Sequence, residues 1–459
     1  MATINPVLTG KNRSWVNAPQ SIALVSDAFI FITGGFNLAI SVGWTYEIVD
    51  LHLSICWFNG VAIGAVLAPL LTNWKRRRFS IFSPILLVNV SAIINMAGYY
   101  NTDALIAARY LNGIGIGLTT VSFIIHASEI ASEHYRGYCM ALEQIGLYGG
   151  AYVQIICTSY WSSGVDINIY CLQGIFSIIF GVIALAVTFT SIDSPIQHLR
   201  RGDEPEALNC VVRLYRPPIM TNEKQVIFNK LKEYVAMNES MSLWKSFIGS
   251  LIPLLKVLCY RCMLSFIIAF PITLTLQWSE SIGTAGSLVN WPPTLYGLIG
   301  CIGVLVAFTT LDPIGRKAVS LFSLLCVAGM YIGVGVIFND PNSLFNSTKM
   351  ATACALLMIS NIFGGIFAPS TTLYLGEAFP LYWKSYFIAF TVIVQYVVDL
   401  IIVCTFTFTS NNVFVFCIAT GVIMFIGCLV FAVTMPETRK NTLKETQEQF
   451  AYALHLRFY

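Results

Sequence analysis

The chain has 459 residues, of which 56% are apolar and 11% charged, with a mean hydropathy of +0.72 and a formal net charge of +3. Soluble globular domains carry about 25% charged residues, so this composition excludes a soluble globule and leaves a polytopic membrane protein. Residues 1–20 are polar with two basic residues and no short apolar core, so no cleavable signal is expected and the first long apolar run should remain as an anchor. The thirteen cysteines are odd in number and scattered through apolar runs, and the C-x-x-C of Cys259 and Cys262 has no second pair or nearby histidine. They are expected to act as small buried hydrophobes rather than as metal ligands or disulfides.

A spanning helix needs about 20 mostly apolar residues. Twelve runs qualify: 21–42, 53–73, 80–99, 105–127, 138–159, 169–190, 260–278, 291–311, 318–338, 350–374, 386–407 and 413–434. The predicted fold is therefore an all-α membrane protein of two six-helix bundles, 21–190 and 260–434. A polar cytoplasmic segment, 191–259, joins them, and 1–20 and 435–459 form the ends. Within that segment Ser194 caps a helix that starts with Pro195, and "NEKQVIFNKLKEYVAM" has apolar residues at helical spacing. No phosphate loop, metal-ligand pair or activated nucleophile is visible, so no enzyme and no cofactor is expected.

With the amino terminus inside, 24 of the 26 Lys and Arg residues fall on inner segments, leaving Arg109 and Lys349 outside. Cytoplasmic loops keep positive charge, so both termini are expected in the cytoplasm. The cluster Lys75 to Arg78 then faces the cytoplasm as an orientation signal, not a nucleic acid. The sequon at Asn346 falls in an outer loop, open to glycosylation.

Charged marks repeat in the two halves. Asn73, Arg77 and Arg78 align with Asp312, Arg316 and Lys317 at an offset of 239; Glu129 and Arg136 align with Glu377 and Lys384 at 248; Asp193 aligns with Glu437 at 244. A parallel duplication of six spans produces this pattern. Carboxylates and guanidinium groups at inner helix ends can hold the halves together when the inside is closed. Glu129, Arg136, Glu377, Lys384, Asp312, Arg316, Lys317, Arg77 and Arg78 are the expected gate.

Several motifs carry a family resemblance. "RYLNGIGIG" from Arg109, "EIASEHYRG" from Glu129, "DPIGRK", "DSPIQHL", "GEAFPLYWK" and "PETRKNTLKE" resemble those of the sugar porter family of the major facilitator superfamily, over about residues 20 to 446. The resemblance implies alternating access, gating by these charges and by Arg109, and latch-like inner helices. Departures stand beside it: Asn73 and Arg76 replace the acid and glycine of the first-half gate motif, helix seven lacks the family's paired glutamines, and Thr372 occupies a tryptophan position.

A sugar donates and accepts hydrogen bonds at once, so amides suit its site, and a polar residue inside a span is a functional candidate. Gln144 stands at the spacing of the family's sugar-contacting glutamine; Gln395 and Asp399 share a helix face; Asn361 and Gln277 are further candidates. Asn37 occupies the place where proton-coupled members of the family carry an aspartate opposite Arg109. Asparagine does not titrate, so uncoupled, facilitative transport of a neutral solute such as a hexose or disaccharide is expected. Asp27 and Asp399 keep a proton symporter open as an alternative, and a non-transporting sugar sensor is another. No Lys or Arg is expected deep in a span. The expected partners are the solute and the bilayer, the chain acting as a monomer at the plasma membrane.

Overall fold

A computed structural model describes residues 19–45, 50–74, 77–161, 167–216, 218–283 and 290–455. Lys75 and Arg76, and the side chains of Asn73, Arg77 and Arg78, lie outside the described part. Among the described residues there is no strand. The first half comprises α1 (Pro19–Ile22), α2 (Val25–Ser41), α3 (Leu51–Trp74), α4 (Arg77–Ala97), α5 (Thr102–Ile130), α6 (Arg136–Ser159) and α7 (Ile169–Thr188). Three polar helices follow, α8 (Pro195–Arg200), α9 (Glu204–Leu214) and α10 (Asn222–Ser240). The second half comprises α11 (Leu243–Ile267), α12 (Phe270–Gly283), α13 (Trp291–Ile314), α14 (Arg316–Phe338), α15 (Ser347–Glu377), α16 (Lys384–Thr405) and α17 (Ser410–Thr434), and α18 (Leu443–Ala451) ends the chain.

Among the described residues, ten helical segments are long and apolar enough to cross a membrane, with α11 and α12 forming one of them from Leu243 to Gly283. The other two crossings are α2, with 17 residues, and α6, whose 24 residues are diluted by Arg136, Glu143, Gln144 and Gln154. The seventh segment therefore starts at Leu243, not at residue 260. "LWKSFIGSLIPLLKVLCY" is apolar enough to continue the helix despite two lysines, and Pro253 sits within it.

The duplication is visible in the packing. α3 lies against α5 and α13 against α15; α4 packs on α5 and α7, and α14 on α15 and α17. Glycines allow the close crossings: a Cβ at Gly117 would stand 2.2 Å from the Val61 carbonyl, and one at Gly303 2.2 Å from that of Ile362. Gly64 with Gly117 and Gly303 with Gly365 form matching contacts, at the same offsets, 239 and 248, as the charged marks.

The halves meet through α3, α5 and α6 on one side and α13, α15 and α16 on the other. In the linker, Ser194 caps α8 by accepting from the Gln197 amide. Ile196, Tyr234 and Val235 cluster with Leu381 and Leu443, so the linker helices touch both the second half and α18. All thirteen cysteines are free thiols, and Cys259 and Cys404 are exposed.

Candidate solute site and inner seal

Between the halves lies a cavity of about 320 Å³, lined by Leu38, Gln144, Leu147, Arg261, Leu264, Ile268, Gln395, Tyr396 and Asp399. Its mix of apolar and polar walls suits a small polar ligand. Gln144 is fully buried, and among the described residues neither its amide nitrogen nor its oxygen has a hydrogen-bond partner. Buried amides are nearly always bonded, so this one is an exception on the cavity wall.

Gln395 and Asp399 come to the same cavity from one face of α16. The Gln395 Oε1 accepts from Arg261 Nε at 2.7 Å, and its carbonyl accepts from Ser265 Oγ at 3.1 Å. Asp399 lines the cavity and forms no ion pair among the described residues. The ring of Tyr396 packs edge-on against Trp57 of α3 at 5.7 Å, bringing an aromatic wall to the site.

One cation overturns an expectation. Arg261, placed by the sequence in an inner loop, is fully buried. Its NH2 donates to Glu143 Oε1 at 2.8 Å, and its NH1 donates to the hydroxyls of Thr371 and Thr372, both at 2.8 Å. Thr372 in turn donates to Glu143 Oε2 at 2.6 Å. A basic residue does lie deep in a span, then, and it is tolerated because a carboxylate from the other half neutralises it. The small, hydroxyl-bearing Thr372 takes part in this cluster.

The remaining candidates are placed elsewhere. Asn37 donates to the Thr33 carbonyl and accepts from Arg109 NH1 at 3.2 Å. Arg109 also donates to the carbonyls of Leu53 and Asn37 and to Ser41, tying α5 to α2 and α3 within the first half rather than across the halves. Asn361 donates to the Tyr296 carbonyl at 2.7 Å, within the second half. Gln277 donates to the Gly43 carbonyl at 3.2 Å, beside the Trp44–Tyr296 ring contact at 5.8 Å, and both bridge the outer ends. None of these four lines the cavity.

The helix ends on the linker side are joined by charge. Arg136 NH1 donates to Glu377 Oε1 at 2.6 Å, and Arg316 NH1 donates to the same oxygen at 2.8 Å. Arg316 also pairs with Asp312 at 2.8 Å and reaches Thr438. Asp312 accepts from the Tyr138 amide of α6 at 3.2 Å. Gly137 permits that approach, since a Cβ there would stand 2.7 Å from both Asp312 carboxylate oxygens. Glu437 accepts from the amides of Arg316 and Lys317, and Lys317 Nζ donates to the His455 carbonyl at 3.0 Å. Gly315 turns the chain between α13 and α14 at φ +137°, where a side chain would be strained. On the other side of the seam, Lys384 donates to Ser128 at 2.6 Å and Glu129 accepts from Ser194. Asn346 caps α15, accepting from the Lys349 amide, and is exposed.

Two six-helix bundles around a polar cavity, sealed by charge at one end, define a transporter of the major facilitator class. The fold of the proton:xylose symporter XylE bound to 6-bromo-6-deoxy-D-glucose is similar, with a TM-score of 0.78 at 18% identity over 95% of this chain and 99% of that one. The inward-open XylE from Escherichia coli scores 0.64 at 15% identity, covering 93% and 98%. The chain belongs to the family described as sugar (and other) transporter, whose model matches residues 31–450. It is 23% identical to hexose transporter 1 of Plasmodium falciparum, over 75% of this chain and 71% of that protein. To the arabinose-proton symporter of Escherichia coli it is 23% identical over 95% and 91%, and to a low-affinity glucose transporter of Saccharomyces cerevisiae 24% over 88% and 74%.

Proposed function

We propose that this chain carries a sugar, a hexose or a disaccharide such as trehalose, across the plasma membrane by alternating access, with both termini in the cytoplasm. The observation that carries the reading is the unpartnered, buried amide of Gln144 on the cavity between the halves. An amide supplies both the donor and the acceptor that a sugar hydroxyl requires, and Tyr396 offers a face to C–H groups. The relatives named for hexose, glucose and arabinose support the same substrate class. Arg261 does not favour an anion, because Glu143 already balances its charge.

Asn37 beside Arg109 supports facilitative transport, since that contact carries no titratable acid. Uptake of labelled glucose, trehalose and polyols into proteoliposomes tests the proposal. Saturable uptake of at least one is expected, reduced at least tenfold in Gln144→Leu; no saturable uptake of any would overturn it in favour of a sensor. A second reading rests on Asp399, a carboxylate on the cavity without an ion-pair partner among the described residues. It gives uptake that rises with an inward proton gradient and loses that response in Asp399→Asn, whereas gradient-independent uptake removes it.

A further inference from the structure

Arg136, Met140, Glu143 and Leu147 are spaced four, three and four residues apart, and so form one stripe along α6. Each meets something different. Leu147 lines the cavity. Glu143 holds Arg261 of α11 and Thr372 of α15. Met140 lies over Gly376 of α15, where an added Cβ would overlap the methionine Cε. Arg136 holds Glu377. Passing from the cavity toward the cytoplasm, the seam therefore reads cavity, ion pair, apolar contact, ion pair.

We propose that Glu143 and Arg261 form a second inner gate, two helical turns above the Arg136–Glu377 gate, and that this pair is the floor of the solute cavity. Both charges are fully buried. Both Glu143 oxygens accept only from the second half, and four of the guanidinium hydrogens of Arg261 go to Glu143, Thr371, Thr372 and Gln395. The pair can part only if water enters from the inside to solvate both ions. Opening then has two stages, the outer rung parting after the Arg136–Glu377 rung. Arg261 also holds the Gln395 carbonyl oxygen, so the motion that opens the floor releases a residue of the solute site. Binding should weaken as the inner exit opens.

This inference rests on alternating access and not on the identity of the solute. Its test needs no sugar. Cys139 lies one turn in from Arg136 and is 2% exposed, so its reaction with a membrane-impermeant maleimide reports opening of the seam. The full chain is reconstituted, the reagent is added from the cytoplasmic side, and the labelled peptide is followed by mass spectrometry. Glu143→Gln removes the charge and keeps the shape, and should raise the labelling rate by about tenfold or more. Thr372→Val leaves no unpaired charge and removes one hydrogen bond on each side, for about a fivefold rise. The exchanged pair, Glu143→Arg with Arg261→Glu, should return the rate toward that of the unmodified chain. Wild-type labelling in both Glu143→Gln and Thr372→Val, with faster labelling in Arg136→Gln, would overturn the proposal. So would altered solute binding with unaltered labelling, which would make the pair part of the solute site alone. If Glu143→Gln does not fold, Thr372→Val decides the matter. A failed sugar panel leaves this readout untouched.

Discussion

The duplication supplies two equivalent cross-half contacts at the inner face, Arg136 with Glu377 and Lys384 with Glu129, and only the first is closed. Arg136 and Glu377 lie 2.6 Å apart with Arg316 bonded to the same oxygen. Lys384 instead donates to Ser128, while Glu129 accepts from Ser194 of the linker. A cavity of about 560 Å³ opens between them, lined also by Gln197 and Arg200. The difference follows from what each carboxylate is offered. Glu377 receives two guanidinium groups, which make directional bonds well matched to a carboxylate oxygen. Glu129 faces one flexible ammonium and a hydroxyl that α8 brings to it. The seal on the Arg136 side is thus built from fixed bonds, and the Lys384 side is where linker helices bear on the gate.

The largest expected effect is at the shared hub. Glu377→Ala leaves Arg136, 3% exposed, without its carboxylate and leaves Arg316, 0% exposed, with Asp312 alone. Stranded buried charges cost about 3–5 kcal/mol, so a lower melting temperature in detergent and faster cytoplasmic labelling are expected. Melting and labelling like those of the unmodified chain would mean that the Arg136 side holds nothing closed. Gly137→Ala comes next, because its Cβ meets both Asp312 oxygens at 2.7 Å. Overpacking of this kind costs about 1–3 kcal/mol, and the loss should fall when combined with Asp312→Ala in a double-mutant cycle. Additive losses would show that the two sites do not touch in the functional state. On the open side, Ser128→Ala removes one acceptor from Lys384 and should cost only about 1 kcal/mol. A loss as large as that of Glu377→Ala would erase the asymmetry.

Much of this arrangement is legible in the sequence, because a duplication copies side chains along with helices. The marks at offsets 239 and 248 include Arg136, Glu377, Asp312 and Arg316, which the fold brings into one ion-paired cluster, and the glycine contacts obey the same offsets. Gln144, Gln395 and Asp399 are recognisable as polar residues within apolar runs. Arg261 is not, because a basic residue at the edge of an apolar run is read as an inner-loop charge. The missed signal is Glu143, a carboxylate inside the fifth span. An acid in hydrocarbon demands a cation, and a search for one would have led to Arg261 and then to a longer seventh helix. Asn37, Asn361 and Gln277 show the converse: buried amides that bond neighbouring helices look the same in sequence as amides that wait for a ligand.

The smallest effect concerns the first-half copy of the second-half turn. In that second-half turn Asp312 pairs with Arg316 and Gly315 makes the bend at positive φ. The first-half equivalents are Asn73, Arg77 and Arg76, so neither the acid nor the glycine is present. Asn73→Asp restores the acid alone. A single added ion pair of about 0–1 kcal/mol is enough for at most a fivefold change in the balance of inward-open and outward-open states. Labelling from the two sides of the membrane measures that balance. A shift toward the inward-closed state would show that the copy still works as a gate once its acid is returned. No shift would leave Lys75 to Arg78 as an orientation signal, and would leave the closing of that end to the ion pairs of the second-half turn and of α6.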